Sequence, residues 1–131
     1  MSIGPALVDA LKAFASIEHD LIALGKRADA ATAAEFVRVR RQLVMGFAEV
    51  SAALEKDPWL TAQTHLMNQA QRLLAAFRSQ NAINQANWPA VRVRDNLAEY
   101  QIAARPVGDR SRDFWDWITF EFGFERERVT G

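Results

Sequence analysis

Three helix-start signals, Thr32-Ala-Ala-Glu35, Asp57-Pro58 and Asn87-Trp88-Pro89, divide this chain into segments whose apolar residues recur every three or four positions. Punctuation of that kind predicts helices throughout and leaves little room for a sheet. The expected helices cover roughly 5–28, 33–56, 58–86, 89–104 and 111–122. The fold class is therefore all-α: a four-helix bundle, or two paired antiparallel helical hairpins, closed by a short aromatic C-terminal helix or arm. A chain of 131 residues suits a single domain and is long enough to bury a hydrophobic core without staples.

The first segment places Leu7, Leu11, Phe14, Ile17, Leu21 and Leu24 on one face, with Pro5 in a first turn that has no use for its missing N–H. Thr32 and Glu35 have the spacing of a capping box. The helix they open carries Phe36, Val39, Leu43, Phe47, Val50 and Leu54, then stops before Asp57-Pro58. Asp57 suits the N-cap of the following helix, with Pro58 at its first position. That third helix sets Leu66, Ala70, Leu73 and Phe77 inward. The fourth presents Val93, Leu97, Tyr100 and Ala104, and Arg105-Pro106-Val-Gly-Asp109 reads as a break. The tail from Ser111 reads as a helix that turns extended at Gly123.

Charge narrows the function classes. The 16 basic and 16 acidic residues balance, so the net-basic footprint of a nucleic-acid binder is missing. Residues 58–112 hold seven arginines against three acids and residues 113–131 five acids against two arginines, which predicts an acidic tail lying near a basic middle. No apolar run reaches membrane-spanning length, and Met1-Ser-Ile-Gly-Pro5 has no signal-peptide pattern, so a cytoplasmic location without membrane contact is expected.

Chemistry-bearing patterns are scarce. Cysteine is absent, which removes thiol nucleophiles and thiolate metal sites. His19 and His65 have no ligand at three- or four-residue spacing, so neither metal nor cofactor is expected. Ser16, Ser51, Ser79 and Ser111 occupy helical or capping contexts, not a nucleophile elbow, and the glycines never cluster into a phosphate loop. A non-catalytic protein is the expectation. Arg38, Arg40 and Arg41 form a basic knot that reads as a solvated helix face, with Arg38 in reach of Glu35.

Two stretches fit recognition instead. Asn81 and Asn84 continue the apolar stripe of the third helix with amides. Either they line a polar groove that bonds a partner's backbone, or the helix frays there and Asn87 caps the next. The tail Phe114-Trp-Asp-Trp-Ile-Thr-Phe-Glu-Phe-Gly-Phe124 holds four of eight phenylalanines and two of four tryptophans, so it is either a lid on the core or an exposed patch.

Residues 7–87 also resemble the FlgN/FliT-type flagellar export chaperones. The likeness lies in Ile17-Glu-His-Asp-Leu21-Ile-Ala-Leu24 on a first helix, a polar hinge, a second helix, and a later helix ending in Gln80-Asn81-Ala-Ile-Asn84. Pro89 and the aromatic tail depart from that pattern. The resemblance implies a chaperone that sequesters an amphipathic helix of its substrate. The candidate partner-binding residues are Asn81, Asn84 and Trp88 beside a cleft, with Phe114, Trp117 and Ile118 on the tail. The alternative is a self-associating structural domain, monomer or homodimer, whose tail serves as lid or swapped arm. A ligand pocket around Tyr100, Arg92 and Arg94 is the third reading.

Overall fold

The computed structural model describes residues 2–27 and 29–126. Its seven α-helices are α1 (Pro5–Arg27), α2 (Ala33–Lys56), α3 (Pro58–Thr61), α4 (Thr64–Asn87), α5 (Ala90–Asp95), α6 (Leu97–Ala103) and α7 (Arg105–Phe122), and no strand occurs among the described residues. The fold is all-α. Four long helices, α1, α2, α4 and α7, form an antiparallel up-down-up-down bundle, with α1 against α2 and α4 against α7 the most extensive pairs. Cross-links fix the directions: Gly4 N–H donates to Asp57, Ser51 Oγ to Gln71, Arg40 to the Trp88 carbonyl and Ser111 Oγ to Glu18.

The main core is aromatic. Phe14 of α1 lies 5.0 Å from Phe47, 5.8 Å from Phe77 and 6.4 Å from Phe114, one ring from each of the other three long helices. Leu7, Leu11, Leu43, Leu54, Leu74 and Ile118 extend it. A smaller cluster of Leu24, Phe36, Val39, Trp88 and Val93 closes the end where α5 and α6 cross from α4 to α7. Of the inward stripe expected on α4, Ala70 and Phe77 are buried, but Leu74 fills the core and Leu73 is only half-buried beside it. Four positions after Ala70 and three before Phe77, Leu74 lies on the same helical face as both.

Asp57 caps as expected. Its Oδ2 accepts the Leu60 N–H at 2.9 Å while Oδ1 accepts the Gly4 N–H at 2.6 Å, so one carboxylate starts α3 and ties down the chain before α1. The capping box does not form: Asp29, not Thr32, caps the turn, accepting from Thr32 N–H and Oγ, and Glu35 pairs instead with Arg38. Helix starts at 57 and 89 each split further than expected. Ala62 and Gln63 separate α3 from α4, and Asn96, at φ −138° and ψ 53°, separates α5 from α6 with its own amide bonded to the Arg92 carbonyl. Asn87 is the last residue of α4, not a cap for the next helix, and α4 runs unfrayed through Asn81 and Asn84. The expected break at Arg105–Asp109 is helical, because Pro106 sits in the first turn of α7, where its missing N–H is no loss.

Past Phe122 the chain reverses. Gly123 stands in the left-handed region (φ 66°), donates its N–H to the Thr119 carbonyl, and sends Phe124 back against Trp115, centroids 6.0 Å apart. The helix ends at Gly123 as expected, and Phe124 beyond it is folded back on the bundle.

Candidate functional site

Asn81 and Asn84 lie on the inner face of α4 and are both buried. Asn84 Nδ2 donates to the Ala103 carbonyl at 3.4 Å, and the Asn84 carbonyl accepts the Trp88 N–H. Trp88 is buried between the Arg92 guanidinium, 4.0 Å from its ring, and Tyr100, centroid 5.8 Å away. Phe114 and Ile118 have no exposed surface, and Trp117 is half-buried with its indole N–H on Gln69. The structure thus gathers Asn81, Asn84 and Trp88 at one end of the bundle and Phe114, Trp117 and Ile118 along the inner side of α7. In both places the chain's own helices fill the cleft. Asn81 and Asn84 mark neither a frayed end nor an open groove; their side chains are interior.

Arg40 is the residue of the basic knot that does not behave as a solvated face. Arg38 and Arg41 are exposed, whereas Arg40 keeps only 7 % of its surface. Its Nη1 donates to the Trp88 carbonyl at 2.6 Å, and its guanidinium lies 4.7 Å over the Phe36 ring. Burial holds the guanidinium below its ordinary proton affinity, with Tyr100 acting in the opposite direction. Among the described residues, Arg40 Nη2 and Gln85 Nε2 are buried without a partner. Both are donors, both lie close in the chain or in space to Trp88, and both would be satisfied by a carbonyl, a carboxylate or a water.

A second buried charge escapes the sequence reading. Glu18 of α1 retains 6 % of its surface and accepts from Ser111 Oγ at 2.5 Å, Trp115 Nε1 at 2.9 Å and Arg126 Nη1 at 3.0 Å. One carboxylate therefore joins α1, α7 and the returning tail. Its position carried a signal, since Glu18 follows Leu11 by seven residues and Phe14 by four and so falls on the apolar stripe. What could not be read was that its donors lie 93 to 108 residues away. Of the acidic tail, among the described residues Asp113 pairs with Arg110 of the basic middle, three residues before it, while Asp109 and Arg112 pair within the middle itself.

The ligand-carrier arrangement does not assemble. Arg92 is committed to Trp88 and the Asn87 carbonyl, and Arg94 to Asp95. An open depression of about 410 Å³ lies instead at the other end, between Pro5, Ala6, Ala52, Ala53 and Pro58. Asp57 also borders it, but both of its oxygens are taken by backbone N–H groups. Among the described residues, no three His, Asp or Glu side chains converge as metal ligands, and no helix is long and apolar enough to cross a membrane.

The bundle leaves apolar side chains in water at several places, singly at Ile22, Val91 and Ile102 and as a row on α2. Val37, Val44 and Met45 are exposed at spacings of seven and eight, with Ala48 and Ala52 exposed along the same side. Ile83 on α4 is likewise exposed, and Phe120, at 85 %, is the one ring of the tail directed outward. No protein family, curated protein or solved structure matches this chain.

Proposed function

We propose that this protein is a non-catalytic binding module that takes an amphipathic helix of a partner on the outer face of α2. The observation that carries the reading is the exposed stripe of Val37, Val44 and Met45, continued by Ala48 and Ala52. The small side chains let a second backbone approach closely, and the three large ones supply the i, i+7, i+8 knobs of a helix–helix seam. Arg41 lies within the stripe and would pair with an acid on the partner. This placement differs from the cleft beside Asn84 and Trp88, whose burial makes them supports of the fold. It keeps the mode that the FlgN/FliT-type resemblance implies, capture of a substrate helix ahead of export.

The test is titration of the purified protein with synthetic C-terminal helices of flagellar hook-junction and cap proteins, followed by calorimetry. Saturable binding with a Kd of about 10 μM or tighter, weakened at least about tenfold by Val44→Glu with Met45→Glu, is the expected result. Circular dichroism of the double variant should match the parent, since neither side chain is in the core. Binding that ignores the double variant would move the site off α2, and silence from every helix would remove the chaperone reading.

A further inference from the structure

The Glu18 clasp is built like a receptor for a cationic side chain, and the chain's own tail occupies it. Glu18, Ser111 and Trp115 are all buried, so the floor of the slot is part of the bundle. Of its occupant, Phe124 is buried as well, but the segment is attached differently. Among the described residues, no backbone hydrogen bond holds 124–126, and the segment stays in place through two side chains. Phe124 stacks on Trp115 at 27° between planes, and Arg126 pairs with Glu18 while its guanidinium carbon lies 5.3 Å from the Trp115 ring. The Arg126 side chain remains 38 % exposed, so the cation seals the mouth of the slot from the solvent side.

We propose that this slot binds an aromatic-x-arginine segment of a second protein, and that Phe124-Glu125-Arg126 is a displaceable occupant held there in the absence of that partner. The chemistry selects the ligand. With Arg126 withdrawn, Glu18 keeps the Ser111 and Trp115 donors but loses its counter-charge, and a buried carboxylate without one is costly. The vacated slot therefore calls for a cation. A planar guanidinium satisfies both the carboxylate and the indole face, which an ammonium does less well. An aromatic ring two residues earlier covers Trp115 as Phe124 does. Exchange needs no unfolding of α7, because Gly123 already lies beyond the helix and supplies the hinge. The site is separate from the α2 stripe and stands or falls without it.

The experiment uses the full chain carrying Phe124→Ser and Arg126→Ser, which vacates the slot, and a blocked Gly-Phe-Glu-Arg peptide as the probe. Saturable binding of the peptide to this variant, read by the change in Trp emission and by calorimetry, is the expected result. A tethered occupant competes at an effective concentration on the order of millimolar, so the parent protein should bind the same peptide at least about tenfold more weakly. Replacing the peptide's arginine by alanine should abolish binding, and replacing it by lysine should weaken it several-fold. Adding Glu18→Gln to the vacated protein should also abolish it; if that protein fails to fold, the alanine peptide tests the same ion pair from the ligand side. No binding to the vacated variant, or equal binding of the arginine and alanine peptides, overturns the proposal and leaves the clasp a structural one. A parent protein that sediments as a dimer and turns monomeric on Arg126→Ser overturns it too, by showing that the occupant is a neighbouring copy's tail.

Discussion

Gly46 faces the centre of the aromatic core, where a Cβ would lie 2.8 Å from Phe14 Cδ1. Helix propensity favours alanine over glycine by about 1 kcal/mol, so a surface view predicts that Gly46→Ala stabilises. The Phe14 ring has no room to yield, being hemmed by Phe47, Phe77, Phe114 and Trp115. Overpacking of this kind costs about 1–3 kcal/mol, and the net effect should be a lower thermal midpoint. A midpoint equal to or above the parent's would show that the ring gives way. Single residues were legible in the sequence where their role depends on neighbours in the chain. Phe14, Phe47 and Phe77 announce themselves by spacing alone. For Glu18 and Arg40 the spacing does not say why burial is tolerated, because what makes a buried charge tolerable is its partners, and those come from Ser111, Trp115 and Trp88, far away in the chain. The paired burial of Asn81 and Asn84 is the same case: amide side chains at core positions read as loop or groove until the helices covering them are known.

At the level of elements, helix starts divide according to how local their chemistry is. Asp57-Pro58 was readable because cap and proline act within one turn, whereas its second bond, to Gly4 N–H, spans 53 residues and was not. Asp57→Ala removes both. The loss of the cap alone typically costs about 1 kcal/mol, and release of the chain before α1 should bring the total to about 2 kcal/mol in urea unfolding, with faster amide exchange at Leu60 and Gly4. Unchanged exchange at Gly4 would show that the tie does not hold in solution. Thr32-Ala-Ala-Glu35 misled because Asp29, three residues before Thr32, offers a better acceptor and takes the hydroxyl as well. Arg105-Pro106 misled for a different reason: proline ends a helix or begins one, and the sequence alone did not say that a new helix begins there.

For the whole molecule, helical periodicity was enough to give the class and three of the four long helices, α1, α2 and α4, because an amphipathic stripe must be buried against something. The fourth is α7, expected only as a short closing helix, while the expected 89–104 helix is split into α5 and α6. Periodicity was not enough to say which stripe meets which. α7 closes the bundle, and its anchors reach back across most of the chain: Ser111 and Trp115 bond Glu18 at separations of 93 and 97 residues. Phe114 in the same helix packs on Phe14 and Phe77. During synthesis on a ribosome, then, α1, α2 and α4 emerge with one wall of their core missing, and the rings of Phe14 and Phe77 stay wet until the final long helix has cleared the exit tunnel. A chain released at Ala104 should accordingly bind a hydrophobic dye and melt without a cooperative transition; a sharp melt with no dye uptake would mean that three helices suffice. Because α7 follows the other three long helices in the chain, the interval between the emergence of α4 and that of α7 is one in which their apolar surface lacks its cover and is exposed to aggregation.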